Sequence, residues 1–280
     1  MADEQRTQLR VLTLNLHCWQ EVDAEDKLHR VAASIAELQP EIVLLQEVAQ
    51  HVDAPIIGTR DSETIRADNA AVLIAETLMR EYEEHYDWRW FFAHVGFDVW
   101  EEGVAMLSRL PIAECEGWYV SDTHHAWNAR RLLVGEVRVE PRLPITIGNG
   151  HFSWWTDPDE PFARQFDRAD AILRRRMQDG LFVGDFNVRD DEPGYAYMMA
   201  SGAWTDAHAA ALAPLPPSGT FPGDIAGWEG ADAGRIDYVL SRGPRLTPIT
   251  ARVLFDTPET RVSDHFGLLV DFAWNSEAHR

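Results

Sequence analysis

The chain has 280 residues, 45% hydrophobic and 25% charged, which supplies a sizeable core and excludes a low-complexity or disordered protein. Its net charge of −21 at pH 7 excludes a basic footprint for duplex nucleic acid, although a bound divalent cation can reverse the field locally. Two cysteines, Cys18 and Cys115, are too few for a disulfide framework.

Residues 9–16, LRVLTLNL, alternate as a strand does. Leu28, Val31, Ile35 and Leu38 predict a helix over 27–38, stopped by Pro40. EIVLLQE (41–47) suits a short buried strand ending at Glu47. A helix over about 67–81 opens near Asp68 or Asn69. Strands are expected near 87–94, 102–108, 113–120 and 131–139, and again at PITIGNGHF (144–152). A helix over 161–177 leads into the strand LFVGD (181–185). The stretch 213–234, rich in Pro, Gly and Ala, reads as a long loop, and strands at 235–241, 249–255 and 267–272 close the chain. No linker divides the sequence, so one domain over 1–280, with its core at about 9–272, is expected. The polar start MADEQRTQLR lacks a signal-peptide pattern, and no apolar run nears the roughly 20 residues that span a bilayer. A cytoplasmic protein without membrane attachment is the expectation.

Part of this layout repeats. A strand ending in Asn15-x-His17, a helix and a strand ending in Glu47 are matched by a strand ending in Asn149-x-His151, a helix and a strand ending in Asp185 and Asn187. A crossover helix makes the strands it joins parallel, so their carboxyl ends open on one edge, where α/β sheets bind ligands. Asp185 and Asn187 should therefore face a cleft, with Phe186 turned into packing. Each polar residue alone has a structural account: Asp185-x-Asn187 as an Asx turn, Glu47 as a solvated carboxylate. Asp237, inside the apolar run RIDYVL, needs a partner. Their joint occurrence in order at strand ends is what points to a site.

The series TLNLH, LLQEV, EGVAMLSRLPI, GNGHF, VGDFNV, RIDYVLS and VSDHFG resembles the endonuclease/exonuclease/phosphatase superfamily across residues 9–272. That resemblance implies a DNase I-like α/β fold, a four-layer sandwich of two packed mixed β-sheets flanked by helices. It implies a metal-dependent phosphoesterase, with Glu47 the main Mg²⁺ ligand (Mn²⁺ being possible), and Asn15 and Asp264 helping to hold the metal. His265 is then the general base, oriented by Asp237, and Asp185 positions or deprotonates the attacking water. Asn187 donates to a phosphate oxygen, and His151 contacts the phosphate or the leaving oxygen. Glu102 is expected to orient His151, and Arg131 to add a charge-assisted contact to phosphate.

For the substrate, TLNLHCW, WEEGVAMLS, HFSWWTDPDEPF and GWEGADAGRIDYVL resemble the maltose 6′-phosphate phosphatase branch, which implies a small phosphorylated sugar. Trp100, Trp154 and Trp155 are expected at the cleft rim as stacking surfaces for sugar. A nuclease, the alternative, would need a basic ridge that the sequence does not cluster. A sphingomyelinase would want a secretory signal and an exposed aromatic hairpin. A non-catalytic phosphate-binding protein on this fold would have lost a catalytic residue, whereas the set is complete.

Overall fold

Alternation along the first strand, Gln8–Asn15, sends Leu12 and Leu14 to one side and Leu9 and Val11 to the other, and both sides are covered. The computed structural model describes residues 8–124, 126–140, 143–212 and 219–277. In chain order the first half holds β1 (Gln8–Asn15), α1 (Ala24–Leu38), β2 (Ile42–His51), β3 (Ile56–Arg60), β4 (Glu63–Arg66), α2 (Ala70–Tyr82), β5 (Asp87–Gly96), β6 (Trp100–Ser108) and β7 (Ile112–Tyr119). There follow β8 (Arg131–Glu140), β9 (Leu143–His151), α3 (Phe162–Arg176), β10 (Gly180–Asp185), α4 (Pro193–Ala200), β11 (Thr205–Asp206) and α5 (Ala207–Ala210). The chain closes with β12 (Phe221–Gly223), β13 (Asp232–Gly234), β14 (Asp237–Arg242), β15 (Leu246–Leu254) and β16 (Gly267–Trp274).

Two six-stranded sheets result, ordered β15-β16-β1-β2-β6-β5 and β11-β14-β10-β9-β8-β7. Both are mixed: β1 and β2 are parallel, as are β9 and β10, and the remaining pairs are antiparallel. Leu9, Val11, Leu44 and Met106 of the first sheet pack against Ile145, Ile147, Val183 and Val239 of the second. Outside the first sheet, Val31 and Ile35 of α1 and Ile74 and Leu78 of α2 cover Leu12, Leu14 and Val43. Outside the second, Phe166 and Leu173 of α3 and Met198 of α4 cover Phe182 and Leu240. The layers run helix, sheet, sheet, helix, as the resemblance implied.

A polar tie crosses the apolar interface between the sheets. Gln46 Nε2 donates to Asn149 Oδ1 (2.7 Å), and Asn149 Nδ2 donates to the carbonyls of Leu45 (3.0 Å) and Ala105 (2.9 Å). Buried amides are tolerated when fully bonded in this way. Asn149, the counterpart of Asn15 in the repeat, is thus a fastener between the sheets.

Some boundaries differ from expectation. Helix α1 begins at Ala24, and Asn69 rather than Asp68 caps α2, accepting from the N–H groups of Ala71 and Val72. Strand β2 does not stop at Glu47 but continues to His51. The β3–β4 hairpin and α4 were not anticipated; Pro193 opens α4, a position where its missing N–H costs nothing. Of the expected loop, 219–234 holds the β12–β13 hairpin, and 213–218 lies outside the described residues. Among the described residues no helix is long and apolar enough to cross a membrane.

Candidate active site

The parallel pairs β1–β2 and β9–β10 open their carboxyl ends on one edge. Asp185 is in register with His151 on one side and Asp237 on the other, so three ionisable side chains form a row across the second sheet. From the first sheet comes Glu47, presented by a bulge. Pairing with β6 passes from Leu45↔Ala105 to Val48↔Gly103, and Glu47 takes a left-handed φ of 49°. Asn15 joins the two sheets here: its Nδ2 donates to Glu47 Oε1 (2.8 Å) and to Asp185 Oδ2 (3.0 Å). Gly184 lets β10 approach β9 just before Asp185. Its φ is +140°, and a Cβ there would lie 1.9 Å from the Gly150 carbonyl oxygen.

His265 is pinned by Ser263, whose Oγ donates to the Asn15 carbonyl (2.7 Å) and accepts from the His265 N–H (3.1 Å). Its Nδ1 lies 3.0 Å from Asp237 Oδ2, and its Nε2 lies 3.7 Å from Asp185 Oδ2. Asp237 has found the partner that its burial demanded. His151 stands opposite, with Nε2 3.7 Å from Asp185 Oδ2 and 3.9 Å from Glu47 Oε1. The Asn187 N–H donates to Asp185 Oδ1 (2.9 Å), closing an Asx turn, and its Nδ2 donates to the Phe152 carbonyl (3.0 Å) beside His151. The turn and the site are therefore the same object. Phe186 packs behind them at full burial.

Burial, with neighbouring carboxylates, leaves the acidic groups of the site reluctant to ionise. Burial, then Glu102 and Asp264, push the Glu47 carboxyl up to about 8. Burial likewise pushes Asp185 up to about 7, with Asp237 adding to it and His265 opposing. Burial lowers His265, but Asp237 and Asp185 outweigh it and hold the ring well above its ordinary value. His151 goes the other way: burial, then Arg130, His94 and His265, keep it neutral. Ligand atoms of Glu47, His151 and Asp185 lie within 4.8 Å of one another. Two carboxylates reluctant to ionise together, beside a neutral histidine, fit a divalent cation.

These residues floor a cleft of about 470 Å³, which Asp264, Arg130, Trp154, Trp127 and Phe97 also line. Asn15, Glu47, His151, Asp185, Asn187, Asp237, Asp264 and His265 are thus brought together as expected. Asn15 aligns the carboxylates with its NH₂, while its Oδ1 accepts from the His17 N–H (3.0 Å).

Four expectations are corrected. Glu102 does not orient His151; its Oε1 lies 3.2 Å from His94 Nε2, because His94 is its cross-strand neighbour on β5. Arg131 turns away from the cleft to Glu63 (2.8 Å) and the Phe92 carbonyl (2.8 Å), stacked over Phe91 and Tyr119. Trp100 stacks on Trp19 and meets His51 edge-on. Trp155 packs against Phe162 and Tyr197. Only Trp154 of the expected trio lines the cleft. Sequence reasoning missed Arg130, Phe97 and Trp127, and also His17, which Glu21, Asp264 and Glu47 raise to about 9 against burial. The Asn15-x-His17 half of the repeat was the available signal for His17.

A two-sheet α/β sandwich with carboxylates and histidines gathered at the shared edge is the architecture of DNase I-like phosphoesterases. The chain belongs to the Endonuclease/Exonuclease/phosphatase family, whose model matches residues 12–265. Members of that family are metal-dependent phosphoesterases and nucleases. Among solved structures, a family protein from Leptotrichia buccalis is 26% identical, with a TM-score of 0.81 over 95% of this chain and 100% of that one. A family protein from Bacteroides thetaiotaomicron shares 18% identity, with a TM-score of 0.72 over 99% and 98% of the two chains. Truncated TDP2 from Caenorhabditis elegans shares 17% identity, with a TM-score of 0.67 over 95% and 97%. The latter two show the fold alone. No curated protein matches the chain.

Proposed function

We propose that the protein is a phosphatase that uses a divalent metal to hydrolyse a small phosphorylated sugar of the maltose 6′-phosphate kind in the cytoplasm. The observation that carries this reading is the cleft itself: a carboxylate and histidine floor beneath Phe97, Trp127 and Trp154, in a chain of net charge −21. Aromatic faces suit sugar rings, and the acidic surface suits a small ligand better than a polyanion.

Glu47 and Asp264 would hold Mg²⁺ or Mn²⁺, which when bound supplies neutralisation and polarisation of the phosphoryl oxygens. Asn15 keeps Glu47 aligned with Asp185. Asp237 holds the Nδ1 proton of His265; with a bound cation offsetting the carboxylate charge that otherwise keeps the ring protonated, Nε2, facing Asp185, would take a proton from the attacking water. Asn187 Nδ2, which bonds the Phe152 carbonyl and lies 3.2 Å from His151 Nε2, would turn the N–H that faces His151 to a phosphate oxygen. His151, kept neutral, contacts the phosphate or leaving oxygen through a hydrogen bond.

The test is a phosphate-release screen over sugar phosphates, nucleotides, inositol phosphates and plasmid DNA. Release concentrated on sugar phosphates supports the reading. Nicking of DNA without phosphate release would make the protein a nuclease instead.

A further inference from the structure

Among the described residues lining the cleft, Arg130 carries a guanidinium that no protein group directly pairs. It is only 4% exposed yet lines the cleft beside His151. Among the described residues no ion pair or side-chain hydrogen bond reaches its guanidinium, and its Nε is buried without a partner. The chain treats other arginines differently. Arg235, equally buried, bonds Asp206 (2.6 Å) and lies over Tyr238, and Arg131, though its Nε also lacks a partner, is held by Glu63 and the Phe92 carbonyl. A buried, unpaired guanidinium is costly unless a ligand completes it.

The position is also built. The Arg130 N–H donates to Ser121 Oγ (2.9 Å), and its carbonyl accepts from the Val120 N–H (3.0 Å). One residue earlier, the Ala129 carbonyl is held by His94 Nδ1 (3.0 Å), whose Nε2 is held in turn by Glu102. Glu102 and His94 therefore form a strut behind Arg130. Glu102, Glu47 and Asp185 favour its charge through space, against burial, while leaving its donors open.

We propose that Arg130 recognises the second negative charge of a phosphomonoester and so sets a preference for monoesters over diesters. This rests on the phosphatase reading and deepens it. A monoester near neutral pH carries about −1.5 to −2 charges and three unsubstituted oxygens. A diester carries one charge, and one of those oxygens is esterified. The guanidinium fork gains most from the former, as a charge-assisted and often bidentate contact.

The experiment compares wild type with Arg130→Met and Arg130→Lys, each saturated with Mg²⁺. The measurements are kcat/KM on p-nitrophenyl phosphate and on bis(p-nitrophenyl) phosphate, inorganic phosphate binding by calorimetry, and melting temperature. Arg130→Met should lose about 10- to 150-fold on the monoester and clearly less on the diester, the range for one hydrogen bond to a charged group. Phosphate binding should weaken by a similar factor. The melting temperature should hold or rise, because an unpaired buried charge has gone. Arg130→Lys keeps charge but not the fork and should fall between. Equal losses on both esters, unchanged phosphate binding, or a lowered melting temperature would overturn the proposal. If Arg130→Met does not fold, an unchanged ester ratio in Arg130→Lys overturns it. Failure of the phosphatase reading shows separately, as a wild-type protein that turns over only the diester or neither ester.

Discussion

Asp237→Asn isolates the pairing at the centre of the site. Asp237 is fully buried and holds His265 Nδ1 at 3.0 Å, so the exchange removes a charge and a proton acceptor while keeping the side-chain volume. One hydrogen bond to a charged partner contributes about 1.5–3 kcal/mol, which alone is a rate factor of about 10 to 150. An asparagine can also present its NH₂ to Nδ1, forcing the proton onto Nε2 and removing the base from the water. The full loss in kcat should then lie at about 10²–10⁴-fold, the range for a general acid or base. The pH profile should move as well. Against burial, Asp237 is the leading influence raising His265, so without it the neutral ring persists to lower pH. The acidic limb of kcat against pH should shift to lower pH, and Mg²⁺ affinity, measured calorimetrically, should stay near normal. A large loss of metal affinity with normal kcat at saturating metal would refute the reasoning and make Asp237 a ligand.

Glu47→Ala should need far more Mg²⁺ to recover any turnover, measured as activity against metal concentration, because the proposed mechanism makes the bulged carboxylate the main hard ligand. Trp154→Ala should lower kcat/KM for a disaccharide phosphate much more than for p-nitrophenyl phosphate, with little change in melting temperature. Trp155→Ala, a packing change at a partly buried ring, should depress both substrates alike and cost stability near the lower end of about 3–5 kcal/mol, read from denaturant unfolding. Asn149→Ala should destabilise by about 2–4 kcal/mol through the loss of the bonds tying the sheets, with metal affinity unchanged in whatever fraction remains folded.

What the sequence made legible follows from strand geometry. Two parallel β-α-β crossovers oblige their strand ends to share an edge, so Asn15, Glu47, His151 and Asp185 could be placed together from their order alone. The misplacements have local causes. Arg130 and Arg131 are neighbours, as are Trp154 and Trp155, and successive residues of extended chain face opposite ways. A register error of one residue therefore put Arg131 in the cleft in place of Arg130, whereas of the two tryptophans, both expected at the rim, Trp154 lies there and Trp155 is packed. Glu102 was recognised, but its partner His94 comes from the adjacent strand, and cross-strand register is not written in either segment. Glu47 was taken as a strand end because a single positive φ inside a strand is imposed by tertiary contacts, not by local sequence.

The most direct measurement is inorganic phosphate released from maltose 6′-phosphate by the purified protein, with Mg²⁺ and with excess chelator, alongside plasmid nicking in the same buffers. The account predicts phosphate release that requires metal and intact plasmid throughout. Phosphate release that survives chelation, or metal-dependent nicking with no release from the sugar phosphate, would contradict it.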